Sequence, residues 1–192
     1  QYFQRQENGD VDELIARMRR QLPPARPMEI GITFHEALEA VEPGSTITSL
    51  HSGGFSFHFP EDAEASVSEI RELKLERLYH LPGGREATLV GKVDGLFGGH
   101  VIDHKFTLSG FDPERFMSTQ QWRCYLDMFG GDVFTWQVYC APRQEGGLTW
   151  KRDDFTIREV NPLTAYRYPG LHDDVVSALV RFSDFAERFL PE

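Results

Sequence analysis

Gly91-Lys92-Val93-Asp94-Gly95-Leu96-Phe97-Gly98-Gly99-His100-Val101-Ile102-Asp103-His104-Lys105 places a Gly-Gly pair between two runs that read as extended strands. Gly-Gly at that position is a two-residue hairpin signal, because both turn residues can take positive φ. With that turn, Phe97 pairs with His100 and Gly95 with Ile102. Asp94 then falls opposite Asp103 in a non-hydrogen-bonded pair, where side chains approach most closely. The two Cβ atoms are expected about 5 Å apart on one face of the sheet. Lys105, two residues past Asp103, shares that face, and the same register sets Lys92 opposite Lys105.

Like charges facing each other across strands destabilise a sheet, so the aspartate pair needs compensation. One carboxyl can hold a proton, or cations can neutralise the pair. A hard divalent cation such as Mg²⁺ or Mn²⁺ suits carboxylate oxygens. Two acids with one or two ammonium groups are the inventory for metal-assisted hydrolysis of a phosphodiester: the metal polarises the phosphoryl oxygen and acidifies bound water, and a lysine orients that water or offsets developing charge. The alternative is a solvated face in which Asp94 and Lys105 are ordinary surface charges. The hydrolytic reading depends on the turn, since a one-residue slip sends the aspartates to opposite faces.

Outward from this hairpin, the chain reads as helices, three antiparallel strands, a helix, two strands and a helix. Helices are expected over Asp10–Leu22 and Met28–Val41, with Pro23, Pro24 and Pro27 between them and Pro43-Gly44 after the second. Thr46–Phe59, interrupted by Ser52-Gly53-Gly54, reads as a short hairpin, and Glu61–Ser66 as an acidic turn. The three strands are Arg71–Leu81, Ala87–Phe97 and His100–Thr107. Asp112–Gly130 reads as one helix opened by a cap and a first-turn proline. Val133–Ala141 and Leu148–Val160 are strands, and Leu171–Leu190 is an amphipathic helix. This order predicts an α/β fold, a mixed β-sheet flanked by helices. The 192 residues read as a single domain, 1–192, with 1–27 as an N-terminal helical extension.

Two helices carry further candidates. Gly31, His35 and Glu39 fall at four-residue intervals beside the apolar stripe of Ile30, Phe34, Leu38 and Val41. The glycine allows another backbone to approach. His35 either supplies an imidazole to a metal, with Glu39 holding it or a metal-bound water, or forms a plain surface His–Glu pair. Gln121 and Tyr125, one turn apart, either hold a nucleic acid near the metal or, for the tyrosine, continue a core stripe with Met117 and Phe129. Trp122, Trp136 and Trp150 read as packing residues.

Composition narrows the classes. A hydrophobic fraction of 40% and a charged fraction of 26% exclude wholesale disorder. No apolar run approaches the roughly 20 residues of a membrane helix, so no membrane partner is expected, nor a leader peptide or lipid anchor. Two cysteines, Cys124 and Cys140, cannot make a disulfide framework or a four-cysteine metal site, and a reducing cytoplasmic setting is the default. The net charge of −10 argues against strong nucleic-acid binding. It is uneven, however, with six basic against five acidic residues from Lys105 to Arg152. No His-Glu-x-x-His, Cys-x-x-Cys or phosphate-cradling loop occurs, which weakens zinc-protease and nucleotide-hydrolase readings.

Taken together, these residues resemble the PD-(D/E)XK nuclease superfamily, in particular its RecB-like branch. That branch shows a helix with Gly-x-x-x-His-x-x-Leu-Glu, a strand ending Gly-x-x-Asp-Gly, a strand with Asp-x-Lys and a helix with Gln-x-x-x-Tyr. Here they stand as Gly31-Ile32-Thr33-Phe34-His35-Glu36-Ala37-Leu38-Glu39, Gly91-Lys92-Val93-Asp94-Gly95, Asp103-His104-Lys105 and Gln121-Trp122-Arg123-Cys124-Tyr125, in the family's order across about half of the chain. The resemblance implies a restriction-endonuclease-like core and a DNA nuclease, an exonuclease of recombination, repair or phage DNA processing. It implies Mg²⁺ or Mn²⁺ on His35, Asp94, Asp103 and the backbone carbonyl of His104. Asp94, Asp103 and Lys105 become the catalytic set, Gln121 and Tyr125 strand-orienting residues, and Glu39 and Lys92 supporting ones. The four-cysteine iron–sulfur cluster of some members is not expected with two cysteines. DNA is the implied partner, with a separate helicase or recombination protein, in the cytoplasm of a bacterial or phage-infected cell. Two alternatives stand beside it: a catalytically silent nuclease-fold module that binds DNA or a protein, and hydrolysis of another phosphoester such as RNA.

Overall fold

The computed structural model describes residues 11–19, 21–43, 45–60, 67–141 and 153–190. The Glu61–Ser66 turn, the start of the Leu148–Val160 strand with Trp150, and Asp10 and Gly44 lie outside them. Helix α1 spans Val11–Met18 and α2 spans Arg26–Glu39, the latter with Pro27 in its first turn. Strands β1 (Ser49–Ser52) and β2 (Phe55–His58) form the expected short hairpin, turned at Gly53-Gly54 with both φ angles positive. Strands β3 (Leu73–His80) and β4 (Glu86–Val93) pair antiparallel, and β5 (Gly95–Phe97) pairs antiparallel with β6 (His100–Thr107). Helices α3 (Pro113–Met117) and α4 (Gln121–Phe129) lead to β7 (Val133–Cys140), β8 (Asp154–Thr156), β9 (Glu159–Tyr166) and helix α5 (Leu171–Phe189).

The strands form three sheets, β1-β2-β8, β3-β4 and β5-β6-β7-β9. β6 runs parallel to β7 while β5 and β9 are antiparallel to their neighbours, so the central sheet is mixed and helices flank it, as the α/β reading predicts. Alternation sets the two cores. Val101, Phe134, Trp136, Val138 and Ala165 pack with Trp122 and Leu126 of α4 and Val175 and Leu179 of α5. On the other side, Phe34 and Leu38 of α2 pack with Phe57, Tyr139 and Phe155. Trp122 and Trp136 are buried packing residues, as read from the sequence.

Three expectations are corrected. The strand expected over Ala87–Phe97 is broken at Asp94: β4 keeps the expected antiparallel pairing with β3 but leaves β6, which β5 alone pairs on that side. The Asp112–Gly130 helix is two helices. Ser118 Oγ donates to the Arg115 carbonyl and Thr119 Oγ1 to that of Phe116, both at 2.9 Å. Hydroxyls that bond nearby carbonyls compete with the helical ladder, and the second helix restarts at Gln121. The described part of Leu148–Val160 is β8 followed by a new strand, β9, that continues to Tyr166.

Candidate active site at the end of β5

Gly98 and Gly99 take φ angles of 54° and 82°, and the ladder pairs Phe97 with His100, Leu96 with Val101 and Gly95 with Ile102. The register is therefore the one read from the sequence. β5 then stops. In an uninterrupted ladder the next hydrogen-bonded pair would be Val93 with His104. Instead the His104 N–H donates to Asp94 Oδ2 at 2.7 Å. The carboxylate thus occupies the place of a strand and leaves the β6 edge open beyond it. Gly95 permits the bend, since a Cβ there would lie 2.4 Å from Ser68 Oγ and 2.9 Å from Ser68 Cβ.

The residues expected to meet do so at this edge. His35 Nδ1 lies 3.4 Å from Asp94 Oδ2. Lys105 Nζ donates to Asp103 Oδ1 at 3.0 Å and stands 2.8 Å from Oδ2. Gln121 Nε2 donates to Asp103 Oδ1 at 2.7 Å. Asp103 is only 2% exposed, and its Oδ2 has the ion-pair contact but no aligned hydrogen bond. A small, partly open cleft of about 10 Å³ is lined by His35, Glu39, Arg71, Glu72, Asp94 and His104.

The electrostatics follow from crowding acids in a dry place. Burial, then the negative charge of Asp103, pushes the Asp94 carboxyl up to about 7. Burial, then Lys105, holds His35 below the ordinary histidine range, while Asp103, Glu39 and the His104 backbone pull the other way. Burial opposes the charge on Lys105, but Asp103 outweighs it and raises the ammonium above its ordinary value. The His104 imidazole belongs to the opposite core, where its Nδ1 is 3.2 Å from the Tyr139 hydroxyl. Only its backbone belongs to the site.

Other candidates sit differently. Lys92 is in register with Lys74 of β3, not Lys105, because of the break at Asp94; it pairs with Glu72 and lies 3.9 Å from Glu39 Oε1. Glu39 therefore faces Lys92 as well as the small cleft. The Tyr125 hydroxyl donates to the Lys92 carbonyl at 2.9 Å, so both Gln121 and Tyr125 direct a polar group at the protein in this structure. Among the described residues no backbone approaches Gly31, and a Cβ there would meet nothing within 4 Å. Among the described residues, no three His, Cys, Asp or Glu side chains form a finished metal cage.

Some contributors were not read from the sequence. Ser68 lies under Gly95, and Arg71 donates to the Glu39 and Val41 carbonyls at 2.9 and 2.5 Å. Glu72 holds φ at 56°, an uncommon conformation for a residue with a side chain. Nothing local marks them. A signal did exist for Met28 and Ile32, apolar residues outside the main stripe of α2. They line an open cleft of about 1320 Å³ with Gly31, His35, Lys92, Lys105, Phe106, Leu108 and Arg115.

No known family profile matches this chain, and no curated protein matches it. Among solved structures, the chain described as "Crystal structure of SSO0001" aligns at a TM-score of 0.43 and 14% identity, over 58% of this chain and 46% of its own. This chain thus spans less than half the length of that one. A likeness of that size leaves the assignment to the residues themselves.

Proposed function

We infer that the chain is a Mg²⁺- or Mn²⁺-dependent deoxyribonuclease of the PD-(D/E)XK, RecB-like kind, an exonuclease acting on DNA in recombination, repair or phage DNA processing. The observation that carries this reading is the buried Asp103 with Lys105 at contact distance, beside the part-buried Asp94 held on the His104 N–H. The residues fit a divalent cation. A small cleft lined by His35, Glu39, Glu72, Asp94 and His104, with Arg71 also on its wall, adjoins the site. Asp103 Oδ2 is buried with the Lys105 ammonium at 2.8 Å and no aligned hydrogen bond. Asp94 tends to hold a proton that a doubly charged ion would displace.

Asp94, Asp103, His35 and the His104 carbonyl would hold the ion, which supplies Lewis-acid polarisation of a phosphoryl oxygen and an acidified water. The protein's own part is positioning. Gln121 fixes the Asp103 carboxylate through Oδ1. The His104 N–H fixes Asp94. Lys105 keeps its proton beside Asp103 and so presents a positive charge to a phosphate entering from the cleft. A separate helicase or recombination protein and a cytoplasmic site of action belong to the same reading.

Incubating the protein with labelled single- and double-stranded DNA in Mg²⁺, Mn²⁺ or EDTA tests it. Cleavage with either metal, none in EDTA and none by Asp103→Ala is expected; activity retained in that variant overturns the assignment. The net charge of −10 favours a second reading, a catalytically silent module binding DNA or a protein, which predicts intact DNA in every lane. A matched RNA substrate separates the two nucleic acids.

A further inference from the structure

β3 has β4 on one side, and among the described residues no strand pairs with its other edge. The Leu81 N–H donates to the Arg85 carbonyl at 2.8 Å, which makes these two a hydrogen-bonded pair of the β3–β4 ladder. Bonded and non-bonded pairs alternate along an antiparallel ladder, so the odd-numbered residues of β3 bond to β4. The N–H and C=O groups of Lys74, Glu76, Leu78 and His80 therefore point out of the free edge. Natural edges are commonly cut short, bulged, interrupted by proline or guarded by charge. β3 is eight residues long, Leu-Lys-Leu-Glu-Arg-Leu-Tyr-His, with no proline or glycine, and Leu78 is 50% exposed. Its charges are of both signs, and their spacing lets the edge complement itself.

We propose that the free edge of β3 pairs antiparallel with the same edge of a second copy of this chain, about a two-fold axis at Leu78. The proposal goes beyond the nuclease reading and does not depend on it. Outward-facing groups meet only when even-numbered residues stand opposite even-numbered ones, so the axis must fall on a residue. An axis at Lys74, Glu76 or Arg77 sets like charges face to face. One at Leu73 or Leu75 runs the overlap into Glu72, where a φ of 56° turns the chain. One at Tyr79 or His80 sets Pro82, which has no N–H, opposite Glu76 or Leu78. With the axis at Leu78 the overlap runs from Leu75 to Leu81. Leu78 then faces its own copy, and Glu76 faces the His80 of the other chain. His80 lies 3.1 Å from Glu86 and Glu76 is 2.9 Å from Lys74, all four mostly exposed. The pairing therefore sets each His80 between two carboxylates and extends those ion pairs without breaking them. β3 itself carries Lys74 and Arg77 against Glu76, so the acid excess of the chain lies elsewhere. Main-chain bonds along an isologous edge with a short apolar centre make a weak dimer, at the low end of interface sizes.

Sedimentation equilibrium of the full chain tests this. The wild type is expected to approach twice its 22.0 kDa mass as concentration rises through the micromolar range. Leu78→Pro removes an N–H that β4 does not use, so it should keep the wild-type far-UV circular dichroism spectrum while weakening the dimer about tenfold or more. Leu78→Cys should form an intermolecular disulfide under mild oxidation, since the Cα atoms of a hydrogen-bonded pair stand about 5.5 Å apart. Leu75→Cys, opposite Leu81 in this register, should not. A wild type that stays at monomer mass, an undiminished dimer in Leu78→Pro, or a disulfide from Leu75→Cys in preference to Leu78→Cys overturns the proposal. Unfolding of Leu78→Pro overturns it as well, because the Leu78 N–H would then be in use within the chain.

Discussion

Gly95→Ala isolates the step that places Asp94 beside β6. The new Cβ would lie 2.4 Å from Ser68 Oγ, 2.9 Å from Ser68 Cβ and 3.4 Å from Ile102 Cβ. Rotating Ser68 about χ1 moves the hydroxyl away but not the Cβ, so the segment at Ser68 or β5 itself must shift. Gly95 is not in the positive-φ region, which makes the contest steric rather than conformational. Overpacking of this kind costs about 1–3 kcal/mol. The same shift loosens the three-residue β5, and with it the Asp94 contact to the His104 N–H. In Ser68→Gly the obstructing atoms are absent, so adding Gly95→Ala there should cost under about 1 kcal/mol, a coupling readable in a double-mutant cycle. Urea denaturation of the four proteins supplies the energies, and DNA cleavage should recover alongside stability in the double variant. A full cost that persists in the Ser68→Gly background refutes the steric account of the bend.

Three further outcomes are expected. Lys105→Met removes the cation beside Asp103 and should lower cleavage by about 10²–10³-fold in single-turnover assays; wild-type rates would contradict its role. The same variant leaves Asp103 buried with Gln121 as its hydrogen-bond partner, costing about 1–2 kcal/mol in urea denaturation after allowance for the partial exposure of the lysine. Asp127, buried on α4, accepts from the Tyr79 hydroxyl at 2.8 Å and contacts His172 Nδ1 at 3.0 Å. Burial raises its pKa, but these partners and Arg77 outweigh it, so the net shift is downward. A depressed carboxyl stabilises the fold above its unfolded value near 3.8 and loses that contribution as pH falls through its lower folded value. Asp127→Ala should therefore cost about 2–4 kcal/mol at pH 7 and progressively less below pH 3.8; a pH-independent cost would contradict this.

What the sequence disclosed and what it hid divide along physical lines. Gly98-Gly99 determines a turn locally, and the turn dictates the register from Phe97–His100 to Gly95–Ile102; the expected ladder pair of Asp94 with Asp103 does not form, because Asp94 bends to the His104 N–H. The four-residue spacing on α2 likewise brings His35 to the site. The break at Asp94 was hidden because a side chain replaces a backbone partner there, and no alternation pattern records that exchange. Lys92 was misplaced for the same reason. The Ser118–Gln120 interruption was masked by an unbroken supply of helix-compatible residues, and it took hydroxyl-to-carbonyl bonds to end α3. The backbone expected close to Gly31 is not found among the described residues.

The seat for a divalent ion is tested most directly by titration calorimetry of Mn²⁺ into the wild type and into Asp103→Asn at neutral pH. Saturable heat in the wild type that disappears in the variant is the predicted result. No heat in the wild type, or the same isotherm from both proteins, contradicts the account.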